Sequence, residues 1–193
     1  MKKSFLFTLI LVVVSATAFA QDKRVKEISK LYSVAMEQIA RMKEEPNCEE
    51  SMTVKKHYIV PAIGPVEETI EFFADDVADQ EKNAGSYELV PFFIRVKTDA
   101  GPTFMTGYEE FLFHPNHSLA FCFKKSRSVW AETDVDIETR AYFDTKGKYI
   151  TGNVKLKDAV TGEDVPVLED IQIVHEDLKK AAEKYLKNFK GVF

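Results

Sequence analysis

Three acids stand at alternate positions, Asp134, Asp136 and Glu138. In a strand that spacing puts three carboxylates on one face, a donor set for a hard cation such as calcium. No glycine-bearing calcium loop surrounds them. The interleaved Val135 and Ile137 fit a solvated strand face, with Lys124, Lys125 and Arg127 on the neighbouring strand as cross-strand partners. His114 and His117 flank Pro115-Asn116. Two imidazoles at that spacing share a transition metal only if a third ligand arrives, and His57 and His175 are far off in sequence. A hairpin turn is the simpler account, so no metal site is expected. Glu109 and Glu110 are adjacent, so a strand sends them to opposite faces and they make a poor acid–base pair. The chain has no G-x-S-x-G elbow, and its 8 glycines form no phosphate-binding loop. No catalytic residue and no cofactor is assigned.

Aromatic and thiol groups offer a different chemistry. Trp130 is the single tryptophan and falls in a long loop expected between the fifth and sixth strands. There it either stacks on a sugar ring or a partner, or caps the open end of the core. Tyr108, Tyr142 and Tyr149 extend a ligand-binding aromatic surface if their faces agree. Cys48 and Cys122 are the two cysteines. A bridge between them would close a long loop and contribute about 4 kcal/mol. The competing account makes Cys122 a small buried hydrophobe between Phe121 and Phe123.

The N-terminus is a targeting segment. Lys2 and Lys3 precede an apolar run from Phe5 to Val14, and Ala18-Phe19-Ala20 places small residues where a signal peptidase reads. The expected division is a signal peptide over 1–20 and a single α+β domain over 21–193. Cleavage removes two lysines and no acid, which leaves 24 bases against 31 acids, a net charge of −7. That balance argues against nucleic acid as a partner. No second apolar stretch is long enough to span a bilayer. The product is expected to be periplasmic or secreted.

These residues need elements to position them. Val25, Ile28, Tyr32, Ala35, Ile39 and Met42 recur every three or four residues and predict a helix over 22–44. From residue 51 the period becomes two. Seven strands are expected, at 53–60, 66–73, 87–98, 103–113, 118–125, 135–143 and 148–157, with long loops only at 75–86 and 126–134. Pro91 implies an edge position or a bulge in the third strand, and Gly107 a bulge in the fourth. On the sixth strand Val135, Ile137, Ala141 and Phe143 face one way, and Asp134, Asp136, Glu138, Arg140 and Tyr142 the other. A second helix over 170–189 carries the stripe Ile171, Val174, Leu178, Ala182, Tyr185 and Phe189. Short links make the sheet a curved antiparallel meander, and both helices are expected to cover its one buried face. Two versions are open, a cystatin-like arrangement and a small open barrel.

The segments Tyr108-Glu109-Glu110-Phe111-Leu112-Phe113, Leu119-Ala120-Phe121-Cys122-Phe123 and Glu138-Thr139-Arg140-Ala141-Tyr142-Phe143-Asp144, with Gly147-Lys148, resemble a β-meander of small exported proteins of Bacteroidetes-type bacteria. The match spans roughly 45 residues. The resemblance implies a compartment and a fold type and carries no catalytic residues, since such proteins are generally of unknown function. The leading expectation is an exported non-catalytic module binding a small molecule, a glycan or an envelope protein. The alternatives are an envelope hydrolase with a site built from scattered residues, and a structural protein acting through an exposed strand edge.

Overall fold

The computed structural model describes residues 2–45, 50–78, 87–101, 107–130, 133–166 and 175–190, with the backbone alone at 2–20, 22, 78, 87, 128–130 and 133. A helix α1 (Lys2–Glu44) precedes strands β1 (Ser51–Val60), β2 (Gly64–Ala78), β3 (Tyr87–Asp99), β4 (Gly107–Phe113), β5 (Leu119–Trp130), β6 (Thr133–Phe143), β7 (Tyr149–Asp158) and β8 (Asp164–Val165). Helix α2 (His175–Lys190) follows. The strands form one antiparallel sheet in chain order, β1 to β8. Among the described residues eight strands therefore stand where seven were expected, the extra one being the two-residue β8. The sheet is open, so the barrel version does not form.

The expected loop over 126–134 is mostly strand. Arg127 pairs with Asp136 in register, and Lys125 and Arg127 both reach the Asp136 carboxylate, at 3.1 and 3.0 Å. These cross-strand pairs hold the hairpin arms together out to Trp130 and Thr133. Pro91 marks a bulge: the register slips beside it, where Phe73 opposes Phe93 and Ala74 opposes Pro91. Gly107 is no bulge, since it pairs with Thr98 in register. Two further slips fall at Leu112/Phe113 and Tyr142/Phe143. All three lie toward the C-terminal ends of β2, β4 and β6, strands that run the same way, so their added twist bends one end of the sheet.

The helices do not share a face. α1 buries Ile28, Ala35, Ile39 and Met42 against Phe73, Phe93, Leu112 and Phe121. α2 buries Leu178, Ala182, Tyr185 and Phe189 against Ile70, Phe72, Ile94 and Phe111 on the other side. One-sided burial was the expectation, and it fails because these strands are apolar at both parities. Phe72-Phe73, Phe93-Ile94 and Phe111-Leu112 each place one side chain on each face, all 2% exposed or less. Two-sided strands need two covers.

α1 at Gln21 and the start of α2 both lie beside β7, and both helices end beside β2. Gln21 donates to the Ile150 carbonyl at 3.1 Å, and Lys43 pairs with Glu71 at 3.0 Å. Across the sheet the His175 ring stacks on Tyr149 at 4.7 Å, and the Phe189 and Phe72 rings are 5.3 Å apart. Five strand spacings of about 4.8 Å make about 24 Å. That is the length of the 16-residue α2 at about 1.5 Å per residue. The part of α1 from Gln21 to Lys43 is longer than this span, so it crosses obliquely. Among the described residues no helix is long and apolar enough to cross a membrane.

The α2 side holds the larger aromatic core. Truncating Phe72 to alanine should destabilise the fold by about 3–5 kcal/mol. Val160→Ser, at a site 89% exposed, should change stability by less than about 0.5 kcal/mol. Urea denaturation of both variants checks this. Equal effects would mean the core lies elsewhere.

Candidate functional site

The sheet register sets one row of side chains across the α1 face. Glu71 opposes Arg95, Arg95 opposes Glu110, Glu110 opposes Phe123, and Phe123 opposes Arg140. Strand pairing alone thus places a carboxylate, a guanidinium, a carboxylate, an aromatic ring and a guanidinium side by side. The neighbouring row sets Phe121 opposite Tyr142. α1 lies over both rows, and its Ile28, Ser29, Tyr32 and Ser33 form a wall facing β4, β5 and β6. Between wall and sheet is an open cavity of about 570 Å³, floored by Tyr108, Glu110, Phe121, Phe123, Arg140 and Tyr142. Its volume lies within the range of small-molecule sites.

Glu110 is the centre of this arrangement and is only 5% exposed. A carboxylate taken from water needs donors, or its charge costs several kcal/mol. Four N–H or O–H groups supply them. Tyr32 donates to Oε2 at 2.7 Å, and Tyr108 donates to Oε1. Arg95 Nε and Nη2 reach Oε1 at 3.4 Å each. Arg95 also reaches Glu71 Oε2 with Nη1 at 3.5 Å. Burial pushes the Glu71 carboxyl up, but Lys43 and Arg95 outweigh it and hold it below its ordinary value. Burial, then the hydrogen bond and charge of Glu110, push the Tyr108 phenol up to about 12. The same causes in the same order raise Tyr32 well above its ordinary value.

The aromatic walls meet edge-on or tilted. Tyr32 and Phe121 rings are 5.5 Å apart at 80°, Phe121 and Tyr142 5.0 Å apart at 46°, and Tyr108 and Phe123 6.0 Å apart at 64°. The Arg140 guanidinium lies 5.0 Å from the Phe123 ring centre and has Glu138 at 3.4 Å. Tyr142 and Arg140 both line the cavity.

Of the expected aromatic surface, Tyr108 and Tyr142 come together in this cavity. Tyr149 does not, because after the bulge it pairs with Phe143 and so shares the α2 face, stacked on His175. The Trp130 side chain lies outside the described residues, as does Cys48. Cys122 is a free thiol, 1% exposed in the α2-side core. That is the buried-hydrophobe account, and burial pushes its thiol up and away from reactivity. The acid ladder resolves into ion pairs, Asp136 with Lys125 and Arg127, and Glu138 with Arg140. Lys124 instead serves the other face, 3.0 Å from Glu109. His114 contacts the Phe143 carbonyl at 3.0 Å, and His117 closes the turn with its amide on the His114 carbonyl. Among the described residues no group of three or more His, Cys, Asp or Glu is placed to hold a metal ion.

Arg95, Glu110, Arg140 and Tyr32 were not singled out from sequence as site residues. Spacing places Tyr32 in the helix stripe, and adjacency to Glu109 makes Glu110 a poor member of an acid–base pair. The signal available was the glutamate pair Glu109-Glu110 between Tyr108 and the apolar Phe111-Leu112-Phe113, where strand alternation sends one carboxylate to each face. Comparison with protein-family models, curated proteins and solved structures returns no match for this chain.

A phenol whose folded pKa is raised stabilises the fold below its ordinary pKa and loses that contribution as pH rises through the folded value. For Tyr108 the contribution is present below pH 10 and is lost as pH rises toward about 12. Tyrosinate absorbance during alkaline titration should show late phenols, and Glu110→Gln should move those of Tyr32 and Tyr108 down. An unchanged curve in Glu110→Gln would remove Glu110 as their partner. Tyr32→Phe should cost about 1–3 kcal/mol by stripping a donor from a buried carboxylate.

Proposed function

We propose that this chain is an exported, non-catalytic binding module of a bacterial cell envelope, periplasmic or secreted, whose ligand sits in the cavity between α1 and the sheet. The observation that carries the reading is the cavity itself, about 570 Å³ of concave space with an aromatic floor and a few convergent polar groups. Export rests on the N-terminal charge, apolar run and Ala18-Phe19-Ala20, and on the resemblance of the meander to small exported proteins. A concave site of this size suits a small molecule or a glycan unit better than a protein surface.

The groups lining the cavity favour holding over reacting. Raised phenols are poor nucleophiles at neutral pH. Glu110 is occupied by two hydroxyls and a guanidinium, which leaves it little capacity as a base. The hydrolase alternative would need a second carboxyl facing Glu110 across a substrate. Glu138, on the same sheet face, is engaged by Arg140.

Two measurements test the reading. A fragment screen followed by amide chemical shifts should place hits at Ser29, Ser33 and Tyr142. Filling the cavity from the helix with Ser33→Trp should weaken those hits by tenfold or more, on the order of 1.4 kcal/mol. Hits that map elsewhere, or none, would overturn the site. For the compartment, N-terminal sequencing of the product from an expressing bacterium should begin at Gln21 in the periplasmic or secreted fraction. A cytoplasmic product starting at Met1 would overturn export.

A further inference from the structure

Four of the five hydroxyl protons around the cavity have acceptors within the protein, that of Tyr142 being the fifth. Each Ser or Tyr hydroxyl has one proton to donate and lone pairs to accept with. Tyr32 and Tyr108 give theirs to Glu110. Ser29 gives its proton to the Val25 carbonyl at 2.9 Å, and Ser33 to the Ser29 carbonyl at 3.1 Å. These four oxygens, three on the α1 wall and that of Tyr108 in the floor, therefore present acceptor lone pairs to a ligand. Arg140 in the floor is the charged donor.

Charge narrows the ligand further. Glu110 and Glu71 are matched by Arg95 and Lys43, and Arg140 by Glu138. A cation would meet the acceptors but also the Arg140 guanidinium, with no unmatched carboxylate to offset its desolvation. An anion would pair with Arg140 but would turn its oxygens toward four acceptor oxygens. A neutral ligand rich in hydroxyls satisfies both kinds of group, because a hydroxyl donates to an acceptor oxygen and accepts from Arg140. The Tyr142 and Phe121 rings suit the C–H face of a sugar ring.

Resting on the binding-module reading, we infer that the cavity under α1 recognises an uncharged saccharide, with the Ser29, Ser33, Tyr32 and Tyr108 oxygens accepting from its hydroxyls, Arg140 donating to them, and Tyr142 stacking on the ring.

The test uses the full exported protein and five probes: maltose, diacetylchitobiose and methyl mannoside as neutral saccharides, choline as a cation and benzoate as an anion. Saturation-transfer and amide-shift NMR should show at least one saccharide at Ser29, Ser33 and Tyr142. Tyr142→Ala and Ser33→Ala, both at positions outside the buried core, should each weaken it by fivefold or more, with circular dichroism confirming that the variants fold. Choline or benzoate at those amides without any saccharide overturns the ligand class and leaves the binding reading standing. Saccharide shifts away from the cavity, or silence from all three saccharides, overturn the inference. Silence from every probe together with an empty fragment screen overturns the binding reading as well.

Discussion

Two adjacent carboxylates on the central strand, Glu110 buried and Glu109 half-buried, must both find partners, and much of the architecture follows from that. β4 sends Glu110 to one face of the sheet and Glu109 to the other, because alternate residues of a strand point opposite ways. Glu110 takes the hydroxyl of Tyr32 from α1. Tyr185 from α2 lies 3.4 Å from both Glu109 and Glu68. Each helix thus delivers one tyrosine to a carboxylate on its own face. Burial, then the charges of Glu109 and Glu68, raise the Tyr185 phenol, so it keeps the proton it donates. A sheet bearing these acids without either helix would expose its aromatic faces and lose those donors at once.

The two faces solve the same problem with different materials, and the cavity is a consequence. On the α2 side the sheet offers Ile70, Phe72, Phe111 and Phe143, and the helix closes on them. On the α1 side the apolar patch of Phe73, Phe93 and Leu112 occupies part of the face. Beyond it the row continues through Glu110, Phe123 and Arg140, which no apolar stripe can cover without stranding charges. α1 presents Ser29 and Ser33 there, side chains too short to reach the sheet. Large residues at those positions would fill the space, so the opening is written into a small-residue flank beside an apolar stripe.

The helices and hairpins were legible in the sequence because local chemistry specifies them. Ile28, Ala35, Ile39 and Met42 were named from spacing and are all buried, as are Leu178, Ala182, Tyr185 and Phe189. The turns at His114–His117 and Asp144–Gly147 fall where their residue types place them. The cover of the second face was missed although its signal was present, in apolar doublets such as Phe72-Phe73. Alternation on β6 was clear and drew attention to one buried side, whereas β2 to β5 are apolar at both parities. The site was half legible. Tyr108 and Tyr142 were identified by type, but Arg95 meets Glu110 only through register across a hairpin, and Tyr149 was sent to the far face by a single bulge. Long-range register carries no local signature.

Preorganisation links the fold to the proposed function. Tyr32 and Tyr108 are held by a buried carboxylate, and Glu110 is held in turn by Arg95, which Glu71 also engages. Their acceptor lone pairs are oriented before any ligand arrives, so binding need not order them. Immobilising a free side chain costs about 0.5–1.5 kcal/mol at an interface. Weak ligands such as single sugar rings gain most when that cost has been met during folding. The network that anchors α1 to β4 is thus the one that aims the cavity's oxygens, and a substitution at Glu110 loosens the helix and blurs the site together.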